Sequence, residues 1–152
     1  MAVTQVTNFL KPRYNEVLDN RVQTDVSIQV DFNKYSTTDV TIGGSDTLEF
    51  QVLTIPAGTL ADDVWIKVNT ANGGALTATI LDGFSDASGV ITHASTFDMN
   101  AATIQRKPLL TTKDTFAVET NIVIAFPNSG VVKPALEFEV GIKNICKASW
   151  LD

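Results

Sequence analysis

Few side chains in this chain could do chemistry, and they stand apart from one another. There is one histidine, His93, in the run VITHAST, and one cysteine, Cys146. A histidine acting as a base needs a nucleophile and an orienting partner, and the residues around His93 supply neither. Strand alternation puts it on a face with Ile91, Ser95 and Phe97, which suits a structural or surface histidine. Cys146 has no second cysteine with which to share a zinc ion or a disulfide, and its neighbours Ile145 and Lys147 read as the end of a strand. The stretch DGFSDASG, from Asp82 to Gly89, offers Asp82, Ser85, Asp86 and Ser88, oxygen donors of the kind that hold calcium. Its spacing is not that of an EF-hand and no Glu closes it, whereas Asp-Gly and Ser-Gly are ordinary turn chemistry. Glu137 and Glu139 share one strand face. A glycosidase pair must straddle the bond it cleaves, usually from two strands, so these two read as a solvated face. NTANGG, from Asn69 to Gly74, lacks the lysine and helix of a phosphate loop and reads as a hairpin turn. These residues make no catalytic constellation, no metal site and no cofactor site, and the expectation is a protein that is not an enzyme.

The aromatic residues are a different signal. Trp65 points away from the inferred core, and Trp150 lies in the tail KASWLD. Aromatic side chains outside a core are enriched at protein interfaces and also form sugar-stacking platforms.

The elements that must hold these residues have a period of two. From Asp25 onward, apolar side chains alternate with polar ones. Val26, Ile28 and Val30 share one face, as do Leu48, Phe50 and Val52, with Glu49 and Gln51 opposite. Val64, Ile66 and Val68 point inward and leave Trp65 and Lys67 outside. Leu76, Ala78 and Ile80 align, then Phe116, Val118, Ile122, Ile124 and Phe126, then Leu136, Phe138, Val140 and Ile142. Turn clusters GGSD, NTANGG, DGFSDASG and FPNSGVVKP separate these runs. About eight short strands at this spacing predict an all-β fold, an antiparallel β-sandwich that is jelly-roll-like, with an immunoglobulin-like sandwich as second choice. The body runs over residues 25–146 and a short C-terminal tail over 147–152.

Residues 1–24 differ. They are polar overall, contain Pro12, and lack alternation. Val3, Val6 and Leu10 fall at helical spacing, as do Tyr14, Val17 and Leu18, while Lys11-Pro12 interrupts the pattern. The segment reads as an extended or partly helical N-terminal arm. With Phe9, Leu10, Tyr14, Val17 and Leu18 it is too apolar to rest in water, so it packs on its own body or on a neighbour.

The bulk numbers fit. A chain of 152 residues makes one domain and buries roughly 70% of its unfolded surface without help from metal or disulfide. Charged residues are 18% of the chain, below the usual value of about 25%. A net charge of −6 with scattered basic residues argues against nucleic acid. The N-terminus shows no secretory pattern, and no apolar run approaches the roughly 18 residues that span a bilayer. The lone cysteine suits a reducing cytoplasm.

The order of the turns carries a resemblance. Ile55-Pro-Ala-Gly-Thr59 leads into the strand VWIKVNT. Thr77-Ala-Thr79 follows, and then Asp82, Gly83, Ser85, Asp86, Gly89 and Ile91. From about Leu48 to Ile145 this resembles the small all-β head-decoration, or cement, proteins of tailed bacteriophages. The segment from His93 to Lys113 and the N-terminal arm depart from that pattern. The resemblance implies a non-catalytic virion protein, made in the bacterial host cytoplasm and bound to the capsid exterior. It implies a homotrimer that locks neighbouring subunits of the major capsid protein, with a head fibre or spike protein as a further partner, and no nucleic acid or membrane. The capsid-binding or inter-subunit residues expected on this reading are Val3, Val6, Phe9, Leu10, Tyr14, Val17 and Leu18 in the arm, with Trp65 and Trp150. The alternatives are a tail or fibre-base structural protein and a carbohydrate-binding β-sandwich module.

Overall fold

The computed structural model describes residues 2–7, 24–109, 115–116 and 118–147. Within them the long strands are β2 (Thr24–Asp31), β4 (Thr47–Ile55), β6 (Asp63–Thr70), β7 (Thr77–Leu81), β8 (Thr92–Asp98), β9 (Ile104–Pro108), β11 (Thr120–Phe126) and β13 (Glu137–Lys147). Shorter pieces are β1 (Val3–Val6), β3 (Val40–Thr41), β5 (Thr59–Leu60), β10 (Thr115–Phe116) and β12 (Val131–Val132). A single 3-10 turn, Phe32–Lys34, follows β2 and is capped by the Asp31 carboxylate, which accepts from the Asn33 amide.

One sheet runs β1-β4-β11-β7-β8 and the other β2-β13-β6-β9, with β5 and β10 continuing from the far end of β13. The long strands pair first with last (β2 with β13) and second with second-last (β4 with β11). The inner strands fill in as β6-β9 and β7-β8. That order is a jelly roll, two antiparallel sheets wound as one doubled-over ribbon. The fold class read from the alternation therefore holds, including the choice of jelly roll over immunoglobulin-like sandwich.

The inward faces are those the period of two assigns. Val64, Ile66, Ala78, Ile80, Leu136, Phe138, Val140 and Ile142 are all buried in one core between the sheets. A chain of tilted and edge-on rings crosses it, with Tyr35 to Phe50 at 4.9 Å, Phe50 to Phe126 at 6.1 Å and Phe126 to Phe138 at 6.2 Å.

Three readings need correction. Val3 and Val6 are not a helical turn. They belong to β1, which lies parallel to the edge of β4 with Val3 opposite Thr47 and Val6 opposite Phe50. Backbone edge donors and acceptors on β4 outweigh a weak helical spacing in so short a stretch. Residues 2–7 are thus part of the sandwich, while Phe9, Leu10, Tyr14, Val17, Leu18 and Trp150 lie outside the described residues. Val118 is not in the core: it sits between β10 and β11 and is 70% exposed. Ser95 does not share a buried face with His93 and Phe97. The pairing of β8 with β7 slips, setting Ser95 and Thr96 together against one residue, and Ser95 is turned to solvent.

Candidate interaction surfaces

The two outer faces of the sandwich are treated differently by the chain. The outer face of the β4 sheet is partly covered, while Gln51, Thr54 and Asn121 stay at its surface, hydrogen-bonded to one another. DGFSDASG folds back across it, and Phe84 and Val90 pack on Leu81, Val123 and Ala125 as a second small apolar cluster. Glu49, which alternation places opposite the core, is fully buried beneath this loop. Its carboxylate accepts from the Ser85 amide at 2.8 Å, the Ser85 hydroxyl at 2.5 Å and the Thr47 hydroxyl at 2.7 Å. A buried carboxylate is tolerated when several donors converge on it. Asp86 accepts from the Gln5 side-chain amide at 2.6 Å, so the same loop holds β1. Asp82 accepts from the Ile91 amide and closes the loop's base. Asp82, Ser85 and Asp86 therefore turn to separate partners instead of converging, the turn chemistry that their spacing indicates. No group of three or more acidic, histidine or cysteine side chains is placed to hold a metal among the described residues.

His93 is buried, 3.7 Å from the Asp82 carboxylate and 5.9 Å from the Phe116 ring. Its side chain has no accessible surface, so a solute meets none of it. Cys146 pairs through its backbone with Leu60. NTANGG is a turn, as its composition indicates. Its Asn72 is buried and donates to the carbonyls of Gly74 and Val131, while its carbonyl accepts from the Lys133 amide.

The far edges of the two sheets, β8 and β9, are joined by side chains. The Gln105 amide donates to the Asp98 carbonyl and accepts from the Asp98 amide, each at 2.8 Å. Lys107 donates to the carbonyls of Ser95 and Thr96, with its amine 5.0 Å from the centre of the Phe97 ring. Thr96 has φ of 64°, an unusual value for a β-branched residue. These clasps tie the two edge strands together over part of their length.

No described residue lies across the outer face of the β2-β13-β6-β9 sheet. Trp65 lies at its centre, directly opposite Gly141. A side chain at Gly141 would meet the indole, with Cβ 2.6 Å from Nε1 and closer still to Cε2 and Cζ2. The indole therefore rests on the glycine backbone, half-buried, with Nε1 shielded and making no hydrogen bond. Around it stand Arg106 on β9, Lys67 and Asp63 on β6, and Glu139 and Lys143 on β13, with Ile104 52% exposed at the margin. Ser27 donates to Glu139 at 2.7 Å and Gln29 donates to Glu137, so the two glutamates are a hydrogen-bonded, part-exposed strand face. Trp65 is thus outside the core, as alternation indicates. Gly141 was missed; its signal is a glycine inside an otherwise unbroken strand pattern.

No family model matches this chain, and no curated protein does. Solved structures of similar sandwich shape include the capsid of Ralstonia phage GP4, at 10% identity and TM-score 0.47 over 93% of this chain and 96% of that one. The acidic stable capsid structure of Helicobacter pylori bacteriophage KHP30 aligns at 10% identity and TM-score 0.46 over 82% and 87%. A family 16 carbohydrate-binding module aligns at 16% identity and TM-score 0.30 over 81% and 85%. At these identities and scores the likenesses bear on neither family nor role.

Proposed function

We propose that the chain is a structural virion protein of a tailed phage, a cement protein that binds the capsid exterior and braces neighbouring major capsid subunits. The observation that carries this reading is the Trp65 face. A flat sheet surface with a central tryptophan ringed by charges has the composition of a protein–protein contact, an aromatic anchor inside a polar rim. The turn order from Ile55 to Ile91, which resembles that of cement proteins, supports it from the sequence side. In the structure these motifs build scaffold. Gly58, with φ of 77°, donates its amide to the Phe116 carbonyl, and DGFSDASG seals Glu49.

In this reading the shell contact belongs to the N-terminal segment with Phe9, Leu10, Tyr14, Val17 and Leu18, while Trp65 and Trp150 contribute further contacts with the shell or with neighbouring copies. The assembled unit is a homotrimer, and each copy adds a modest contact that multivalency across several shell subunits multiplies. The partners are the major capsid protein and a head fibre or spike protein.

The test is co-sedimentation with expanded empty shells of the source phage. Binding that saturates at a fixed copy number supports the reading. Absence of binding by a folded protein rejects it.

A second reading, carbohydrate binding, is favoured by the way the Trp65 indole lies on the sheet, leaving one face for a sugar ring. A glycan-array signal abolished by Trp65→Ala would establish it in place of the first.

A further inference from the structure

The charges around Trp65 form a pattern that matches itself. On β6, Lys67 and Asp63 flank Trp65; on β13, Glu139 and Lys143 flank Gly141. Cross-strand register sets Lys67 beside Glu139, Trp65 beside Gly141, and Asp63 beside Lys143. Positive and negative charges therefore alternate around the four corners of a square, with the indole in the middle. The side chains of Lys67, Asp63 and Lys143 make no ion pair or hydrogen bond with another described residue.

A square with alternating corners is complementary to its own copy turned face to face about a two-fold axis lying in the interface. With the axis along the strands, Lys67 meets Glu139 of the second copy and Asp63 meets its Lys143. With the axis across the strands, Lys67 meets Asp63 of the second copy and Glu139 meets its Lys143. Among these four residues every contact is then between opposite charges, and the two indoles meet near the axis. Arg106, beside Trp65 on β9, would meet Ser27 of the second copy with the axis along the strands and the second copy's Arg106 with the axis across them, so the axis along the strands is the better matched. A two-fold contact uses the same patch on both copies, so self-complementarity is the property it requires. Sheets packed face to face also keep their strands nearly aligned, as both arrangements do.

We propose that this face is a homotypic docking surface: a second copy of the chain seats on it, Trp65 against Trp65, with the four charges as its register. The proposal concerns the Trp65 face alone and holds whether or not the protein decorates a shell. Four strands about 4.8 Å apart and roughly seven residues long give a footprint on the order of 450 Å² per copy. About 900 Å² in total is at the low end of specific interfaces, which describes a weak, concentration-dependent association. Its charge component weakens with salt, because pairs at an interface rim are screened. On a virion the same contact would link neighbouring units held at high local concentration.

The test is sedimentation equilibrium of the full chain over a wide range of concentration, at low and high salt. The expected result is a reversible doubling of the basal mass that weakens at high salt and is lost in Trp65→Ala. Lys67→Glu places like charges together twice per dimer and raises the dissociation constant at least tenfold. Combining it with Glu139→Lys restores association if the axis runs along the strands; combining it with Asp63→Lys restores it if the axis runs across them. Melting curves on the charge variants confirm that the fold is kept. Rescue by neither combination overturns the proposal. So does a basal mass constant at all concentrations, the result expected if residues 8–23 or another partner occupy the face.

Discussion

Replacing Gly141 by alanine, normally a mild change in a strand, is expected to be costly here. A Cβ at Gly141 would sit 2.6 Å from the Trp65 indole nitrogen and nearer to two ring carbons, where unstrained carbon contacts need about 3.5 Å. Gly141 cannot retreat, because β13 is paired on one side with β6 and on the other with β2. The indole must lift. A tryptophan carries roughly 200 Å² of surface, and about half of it is shielded by the sheet. Exposing about 100 Å² at about 25 cal/mol per Å² costs ~2.5 kcal/mol. Removing a glycine from a strand returns about 0.5–1 kcal/mol, so the net loss is about 2 kcal/mol. Urea unfolding measures it as a lower midpoint at unchanged slope. In a Trp150→Phe background, Trp65 emission should shift to the red. The decisive step is the double-mutant cycle. In Trp65→Ala the same Gly141→Ala change should be stabilising by about 0.5–1 kcal/mol, leaving a coupling of about 2.5 kcal/mol. An unchanged midpoint and emission in Gly141→Ala, or strict additivity with Trp65→Ala, would refute the stacked geometry. Gly44→Ala, which meets nothing within 4 Å, is the control.

Other consequences follow from the loop-covered side and the loops. Glu49→Ala strands the Ser85 amide and hydroxyl beneath the 82–89 loop. It should cost about 2–4 kcal/mol, with faster amide exchange across that loop and at Gln5. Asn72→Ala removes the group that joins the 69–74 turn to Val131 and Lys133. A loss of about 2–3 kcal/mol in urea unfolding is expected, more than for its exposed neighbour Asn69→Ala. Thr96→Gly relieves a β-branched residue at φ of 64° and should raise the unfolding midpoint by an amount worth about 1 kcal/mol. A lower midpoint would mean that the Thr96 side chain contributes more than its strain costs.

Much of the fold was legible because burial imposes a period of two on half-buried strands. Val64, Ile66 and Val68, and Leu136 to Ile142, needed no more than alternation. What alternation cannot show is where the pairing slips. Where β4 pairs with β11 the register jumps between Ile122 and Val123 and leaves Val52 as the extra residue of β4, so Val52 and Leu53 both enter the core and Ile55 follows in the new phase. A slip in β8 likewise separates Ser95 from His93. Bulges are set by the partner strand, which a local pattern does not contain. Val3 and Val6 were misread for a related reason. A four-residue edge strand is stabilised by the neighbour's backbone more than by its own sequence. Alternation places Glu49 opposite the core but cannot show its burial, because the loop that covers it lies far along the chain. The interaction face was half legible: Trp65 was identified as outward, while its dependence on Gly141 and the charge square around it required the β6–β13 register.

The central claim, attachment to a capsid exterior, is tested most directly by co-sedimenting the purified chain with expanded empty shells of the source phage. A parallel sample carries Phe9, Leu10, Val17 and Leu18 each changed to serine. The account expects saturation at a fixed copy number per shell for the parent and loss of binding for the serine variant, with its body still folded. A folded parent that stays in the supernatant at every concentration would contradict it.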